Sequence, residues 1–155
     1  MMPKVVVLFT SMSGNTEEIA EIIEAQLQAL NVSVSLVQID IDEFEVEDLL
    51  SYDAILFGTY TWGDGDLPYE LEDFYEELAD IDLSGKEAAL FGSCDSMYPA
   101  YGGAVDKVEG QLTACGAKIL LPSLKVELTP DEEDAERCRQ FAEDFTHKLR
   151  TPSTR

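Results

Sequence analysis

Residues 10–16 (Thr-Ser-Met-Ser-Gly-Asn-Thr) have the residue types expected of an anion-binding turn. They follow the apolar run 5–9 and precede a helical pattern that begins at Glu17. The first turn of a helix has N–H groups without intrahelical partners, and the helix dipole favours negative charge there. The segment contains no Lys or Arg. The sequence therefore predicts a phosphate site built from neutral donors alone.

Two further loops carry aromatic side chains among Gly, Pro and polar residues. One of them, residues 59–69, contains Trp62, the only Trp of the chain, and the other, residues 92–103, contains Tyr98 and Asp95. An aromatic side chain in a surface loop is a candidate stacking platform, although Trp62 could instead fold back as a lid over the sheet edge. Beside a phosphate site, such loops predict a slot for a flat ring system with a phosphate tail.

Apolar runs of strand length alternate with helical patterns along the chain. The predicted strands are residues 5–10, 34–39, 54–60, 88–93 and 118–121, with 126 as an alternative end of the last one. The predicted helices are residues 16–30, 69–79, 103 to a glycine cap at 116, and a last helix after 129, with a short helix or turn at 45–50.

This alternation predicts an α/β fold, a doubly wound sheet of five parallel strands in the order 2-1-3-4-5 with helices on both faces. Strands one, three and four are neighbours in that order, so the loops after them meet at one edge of the sheet. Such folds bind ligands at that edge. We expect a single domain over residues 1–150 and a loose C-terminal tail over 151–155.

The start of the last helix is predicted from a capping pattern. Thr129 suits the N-cap, Pro130 the first helical position, and Glu132 the closing position of a capping box.

The chain is strongly acidic. Ten Lys and Arg against 32 Asp and Glu give a formal net charge of −22, and no basic residue lies between Val5 and Gly85. Phosphates repel such a surface, so nucleic acid and anionic membranes are excluded as expected partners. The acidity indicates either a surface that docks on basic partners, or solubility and adaptation to a salt-rich host.

Cysteine and histidine usage limits the chemistry further. Cys94, Cys115 and Cys138 are an odd number without close spacing, which predicts reduced thiols and a cytoplasmic protein. His147 is the only His, so a metal site or a His-based triad is not expected.

The motifs of the three loops, in this order and spacing, resemble those of the flavodoxin family of FMN-binding electron carriers. Ser11–Thr16 is similar to the family's phosphate loop, Thr61–Asp64 to its second flavin loop, and Asp95–Tyr98 to its third. The likeness covers nearly the whole chain. Because no long loop follows the fifth strand, the chain resembles the short-chain type.

The resemblance implies non-covalently bound FMN and a role for each loop. It places the phosphate on the first loop and near the Thr61 hydroxyl, and the isoalloxazine ring between Trp62 and Tyr98. Asp95 would accept a hydrogen bond from the ring N3–H, and the Gly63 peptide would rotate to accept one from N5–H on reduction. The residues implied to bind cofactor are Thr10, Ser11, Met12, Ser13, Gly14, Asn15, Thr16, Thr59, Tyr60, Thr61, Trp62, Gly63, Asp64, Ser93, Cys94, Asp95, Tyr98, Tyr101 and Gly102.

Two residues depart from the family pattern. Cys94 stands where the family often has Gly, so a positive φ there would be strained. A thiol beside a flavin could also be redox-active, although without an activating base it is normally inert. Met12 replaces a common hydroxyl residue at a position that mostly offers its backbone.

The implied function is a low-potential one-electron carrier that cycles between semiquinone and hydroquinone, is not itself an enzyme, and is monomeric. Its expected partners are basic-surfaced redox proteins, namely a flavodoxin reductase and electron-accepting enzymes.

A flavin-dependent reductase of quinones or another small substrate is the alternative function, and a specialised activator of a metalloenzyme is also left open. A receiver domain would need Asp residues after strands one and three, and a low-molecular-weight tyrosine phosphatase would need Cys and Arg in the first loop; this chain has neither set.

Overall fold

The structure, a computed structural model, describes residues 3–12, 14–62 and 64–149 of the chain. The predicted tail 151–155 and two predicted site residues, Ser13 and Gly63, lie outside these ranges. The strands are β1 (Lys4–Phe9), β2 (Ser33–Gln38), β3 (Ala54–Gly58), β4 (Glu87–Cys94), β5 (Lys118–Ile119) and β6 (Leu124–Glu127). Each apolar run predicted as a strand thus contributes to the sheet.

The helices are α1 (Asn15–Ala29), α2 (Glu72–Leu78), α3 (Gly103–Ala114) and α4 (Glu132–Lys148). Short 3-10 segments cover Val46–Ser51 and Tyr69–Leu71, so the predicted helix at 69–79 begins with a tighter turn. Across the described ranges, none of the helices combines the length and the apolar character needed to cross a bilayer.

All pairings within the sheet are parallel, and the strand order is β2-β1-β3-β4-β5, which confirms the predicted order. The fifth position is divided between two strands. β5 pairs with the beginning of β4, from Glu87, and β6 pairs with its end, from Phe91 to Cys94. The prediction of one strand there was wrong, because the segment between β5 and β6 contains Pro122, which has no N–H to donate to the sheet.

The sheet separates two apolar layers. Along β1, Val5, Val7 and Phe9 pack into the layer that holds the buried side chains of α1 and α4. Val6 and Leu8 face the opposite layer, to which α2 and α3 contribute. Side chains of a strand alternate between its faces, so a strand buried on both faces is apolar throughout. The doubly covered sheet holds the loops at its carboxyl edge in fixed relative positions.

The end of α3 follows the prediction. Gly116 has φ +103°, and the N–H groups of Gly116 and Ala117 donate to the carbonyls of Thr113 and Leu112. This pair of bonds is the Schellman arrangement, in which glycine avoids the steric cost of a left-handed backbone.

The start of α4 differs from the prediction. The N-cap is Asp131, whose carboxylate accepts from the Asp134 N–H at 2.8 Å, while the Asp134 carboxylate accepts from the Asp131 N–H at 3.2 Å. The predicted cap with Thr129 and Glu132 was wrong because Asp caps a helix as well as Thr does. The Thr129 hydroxyl instead donates to Asn15 Oδ1 at 2.9 Å, which links this turn to the first loop.

The corrected cap predicts the effect of two matched substitutions. Asp131→Ala should lower the free energy of unfolding by about 1 kcal/mol, since it leaves the Asp134 N–H without its side-chain acceptor. Glu132→Ala removes the same charge one residue later and should cost markedly less. Urea titrations followed by circular dichroism measure both, and an equal loss in the two variants would contradict the assignment of the cap.

Candidate functional site

Three loops meet at the carboxyl edge of the sheet, after the adjacent parallel strands β1, β3 and β4. Between them lies a cavity of about 210 Å³. Its walls come from the first loop, the second loop, the end of β4 and the turn before α4. The lining residues are Met12, Asn15, Tyr60, Thr61, Ser93, Cys94, Asp95 and Leu128. Seven of these eight are residues that the sequence assigned to cofactor binding.

The first loop is shaped by the Ser11 side chain. Ser11 Oγ accepts from the N–H of Gly14 at 3.1 Å and from that of Glu17 at 3.3 Å, so it serves the first turn of α1. Gly14 is the N-cap residue and has φ +92°, a conformation that costs an L-residue about 1–2 kcal/mol. The loop therefore directs its backbone, and the N-terminal end of α1, towards the edge of the sheet.

Asn15 and Thr16 use their side chains to join the first loop to its neighbours. Asn15 Oδ1 accepts from the Thr129 hydroxyl, and Thr16 Oγ1 lies 2.8 Å from Ser93 Oγ. Thr16 is only 1% exposed. This buried hydroxyl thus connects the first loop to the end of β4.

Thr10 and Thr59 form a second support beneath the loops. Both are fully buried, and their hydroxyl oxygens are 3.1 Å apart. Thr59 Oγ1 also donates to the Tyr60 carbonyl at 2.8 Å. Because these hydroxyls satisfy one another, they fix the first loop against the second.

The second loop reverses direction in a tight hairpin. The backbones of Trp62 and Asp66 exchange two hydrogen bonds of 2.8 and 2.9 Å, and Gly65 has φ +97°. Trp62 is 53% exposed, so its side chain is not part of the buried core. Thr61 Oγ1 accepts from the Ala104 N–H at 3.2 Å, which attaches the loop to the first turn of α3.

The second loop is also bonded to the third and to the 3-10 turn. Asp64 Oδ1 accepts from the Ala100 N–H at 2.9 Å. The Tyr60 hydroxyl donates to Glu70 at 2.7 Å. Burial, reinforced by the Glu70 carboxylate, raises the pKa of Tyr60 well above its usual range, so its hydroxyl stays protonated.

The third loop begins with a turn around Asp95. Asp95 Oδ1 accepts from the Met97 N–H at 2.9 Å, and its carbonyl accepts from the Tyr98 N–H at 3.2 Å. Tyr98 is 43% exposed. The loop therefore places the Asp95 carboxylate in the cavity wall and leaves the Tyr98 ring partly exposed three residues later.

Glu127, the last residue of β6, and Leu128, which follows it, belong to the site and were missed from the sequence. Glu127 accepts from the N–H and the hydroxyl of Ser96 at 3.2 and 3.0 Å. Leu128 borders the cavity with φ +50°, which is unusual for a residue other than glycine. A charged strand end and a leucine carry no local pattern that marks them as site residues.

Cys94 lies at the end of β4, in extended backbone that avoids the positive φ considered above. It is buried against the cavity wall, and burial raises the pKa of its thiol to about 11 despite the nearby Lys125 ammonium, which lowers it. The thiolate is the reactive form of cysteine, so this environment makes Cys94 inert at neutral pH.

Acidic side chains dominate the rim. Asp64, Asp66, Glu70 and Asp95 come from the second and third loops and the turn that follows, and the first two loops contain no basic residue. Lys107 lies 3.9 Å from Asp66. Within the described part of the chain, no group of three or more His, Cys, Asp or Glu is arranged to hold a metal ion.

Comparison with known proteins identifies relatives over most of the chain. The family model described as Flavodoxin matches residues 7–141. "Probable flavodoxin 1" of Bacillus subtilis is 47% identical over 145 residues, which cover 93% of this chain and 90% of the relative. The flavodoxin of Maridesulfovibrio salexigens is 35% identical over 138 residues, 86% of this chain and 92% of the relative.

Solved structures agree with these relatives. Oxidised flavodoxin 1 from Bacillus cereus has a TM-score of 0.91 and 49% identity, with 95% of this chain and 99% of that one covered. A short-chain flavodoxin associated with a PDU bacterial microcompartment has a TM-score of 0.89 and 33% identity, with 96% and 100% covered.

The raised pKa values of the buried thiols predict how stability depends on pH. Burial raises the pKa of Cys94 and of Cys138 to about 11 from an ordinary 9.0. The stabilisation that the protonated thiols give the folded state is complete below about pH 9 and is lost as the pH rises towards 11. Between pH 8 and 10 each thiol should lower the free energy of unfolding by about 1 kcal/mol. Urea titrations in reductant should show a shallower decline for the Cys94→Ala/Cys138→Ala variant; equal slopes would mean that the thiols have ordinary pKa values.

Proposed function

This chain belongs to the flavodoxin family, whose members bind FMN, and from that premise we propose that it is a low-potential, one-electron carrier without a substrate of its own. The observation that supports the proposal most directly is the convergence of three loops on one cavity lined by the neutral polar side chains of Asn15, Thr61 and Ser93, with the exposed rings of Trp62 and Tyr98 carried by the second and third loops.

The described residues fit FMN. A Cβ atom placed on Gly14 would have nothing within 4 Å, so the first loop leaves its backbone open to a phosphate. Trp62 and Tyr98 are both about half exposed on the loops flanking the cavity, and the Asp95 carboxylate borders it. When bound, FMN supplies a ring that accepts and releases electrons singly.

The first loop would hold the phosphate by backbone N–H groups at the start of α1 and by its hydroxyl side chains. Hydrogen bonds from N–H groups to a charged acceptor are roughly twice as strong as neutral ones. No cation in this loop compensates the phosphate charge. The negative charge of the tail therefore adds to that of the carboxylates around the site.

The second and third loops would hold the ring and exclude water from its two faces. Trp62 and Tyr98 would stack on the ring, and the Asp95 carboxylate would accept a hydrogen bond from the ring N3–H. Gly63 lies outside the described residues, and the rotation of its peptide on reduction stays a prediction; glycine permits such a rotation at little steric cost.

The surrounding carboxylates would lower the potential of the second electron, because that step adds a negative charge near them. At a separation of about 12 Å and an effective dielectric constant of about 40–80, one carboxylate opposes a new negative charge by roughly 0.3–0.7 kcal/mol. That energy corresponds to roughly 15–30 mV for one electron. A few such groups would together lower the potential by the order of 100 mV, less in high salt.

A carrier explains the site better than a reductase that acts on a small substrate. Such a reductase needs open space above the ring for its substrate. Here Asp64 bonds the second loop to the third, and Tyr98 on the third loop would cover the ring face that a substrate would need. We also propose that the protein is cytoplasmic and monomeric; its three cysteines, Cys94, Cys115 and Cys138, are free thiols in keeping with a reducing compartment.

An anaerobic reductive titration tests the carrier function. The purified protein, reconstituted with FMN, should bind one FMN per chain and accept two electrons in separate steps, the second at a lower potential than free FMN in the same buffer. A protein that takes up no FMN, or that accepts both electrons in a single step, would contradict the proposal.

We further propose that the acidic face steers the carrier to basic surfaces of a reductase and of electron-accepting enzymes. Electrostatic steering raises association rates at low salt, and it weakens as the Debye length shortens. The electron-transfer rate to a lysine-rich haem protein used as a model acceptor should fall about tenfold or more between 0.05 and 0.5 M salt. A neutral quinone acceptor is the control and should show little change; equal salt dependence for both acceptors would contradict steering.

A further inference from the structure

A pair of charged residues on β6 contacts the third loop at both of its ends. Lys125 and Glu127 are two positions apart, so their side chains leave the same face of the strand, while Leu124 and Val126 point into the core. The contacts run from Glu127 to Ser96, near the start of the loop, and from Lys125 to Tyr101, near its end.

Glu127 makes two hydrogen bonds to the loop. It accepts from the backbone N–H of Ser96 at 3.2 Å and from the Ser96 hydroxyl at 3.0 Å. The backbone bond to Ser96 is foremost among the contacts that lower the pKa of Glu127, so the carboxylate is charged near neutral pH. Burial, with the Glu127 carboxylate among the groups nearby, raises the pKa of Tyr101 to about 12 and keeps its hydroxyl a donor.

Lys125 makes the complementary contacts. Its Nζ donates to the Tyr101 carbonyl at 3.0 Å and to Asp106 of α3 at 3.1 Å. Its stem lies against Gly102, where an added Cβ would come within 2.8 Å of Lys125 Cδ and 2.9 Å of Cys94 Sγ. Gly102 has φ +67° and is the N-cap residue of α3. The loop is therefore closed tightly onto β6 at the point where it enters the helix.

We propose that Lys125 and Glu127 are positioning residues that hold the third loop, and with it Asp95 and Tyr98, at the distance from Trp62 that a flat ring requires. The inference rests on the proposed FMN site. Tyr98 lies between the two anchored residues, Ser96 and Tyr101, and Asp95 directly precedes the first of them. A loop released from β6 would keep its local turn around Asp95 but lose its fixed place over the cavity.

Because the two residues carry opposite charges, substituting each of them distinguishes positioning of the loop from a direct electrostatic effect on binding. If charge alone mattered, removing Glu127 would strengthen the binding of a phosphate dianion and removing Lys125 would weaken it. If both residues position the loop, Glu127→Ala and Lys125→Met should weaken binding alike. Riboflavin provides a second comparison, because its ring would contact the loop as that of FMN would, but it carries no phosphate charge.

The experiment measures dissociation constants of the apoprotein for FMN and for riboflavin by flavin fluorescence. Glu127→Ala should raise both constants about tenfold, the loss expected for charge-assisted hydrogen bonds, and Lys125→Met should raise them in the same direction. Glu127→Gln keeps an acceptor for Ser96 and should restore most of the affinity. Glu21→Ala removes an exposed carboxylate of α1 and is the matched control, with constants near those of the parent protein.

Hydrogen exchange of the apoprotein gives a readout that does not depend on FMN. In Glu127→Ala the amides of the third loop should exchange about tenfold faster than in the parent, while those of the β-sheet core stay protected. Unchanged loop exchange in a folded Glu127→Ala variant, or shifts of opposite sign for the two charge removals, would overturn the inference. Failure of the parent protein to bind FMN would instead refute the proposed function. If Glu127→Ala does not fold, two variants still test the inference: Lys125→Met should weaken the binding of both flavins, and Glu127→Gln should not strengthen the binding of FMN as the loss of a negative charge alone would.

Discussion

The site depends on one physical constraint: a chain with a formal net charge of −22 must hold a phosphate dianion with neutral donors. In the proposed site the start of α1 would meet this constraint, because its N–H groups are fixed in direction before any ligand arrives. Ser11 stabilises the turn, and Gly14 supplies the left-handed backbone that brings the chain from β1 into the helix. A lysine in this loop would bind phosphate too, but it would also offset the negative field on which a low potential depends.

The loops keep their places through pairs of side chains that reach from one loop to the next. Thr10 meets Thr59, Thr16 meets Ser93, and Thr129 reaches Asn15. These contacts join residues far apart in sequence, and the first two pairs are buried. A buried hydroxyl without a hydrogen-bond partner is costly. Moving either loop of a pair would leave such a hydroxyl, so each pair holds its two loops in one relative position. The result is a site that is formed by the fold and needs little rearrangement to receive a ring and its phosphate tail.

Much of this architecture follows from the sequence. Apolar runs of strand length predicted the strands and their order, and small polar residues after β1 predicted a loop that borders the cavity. The division of the fifth position was missed because the apolar run appears continuous across Pro122. The cap at Asp131 was missed because Thr129 is an equally good cap by residue type. Glu127 could not be found, because its contact with Ser96 spans 31 residues and no local pattern separates it from a solvated charge.

The most direct test of the central claim compares FMN with riboflavin as ligands of the unmodified apoprotein at moderate salt. If neutral backbone donors capture the phosphate, FMN should bind about 100-fold more tightly than riboflavin, because several charge-assisted hydrogen bonds are lost with the phosphate. Equal affinities for the two flavins would show that the first loop does not hold the phosphate, and the account of the site built on it would be wrong.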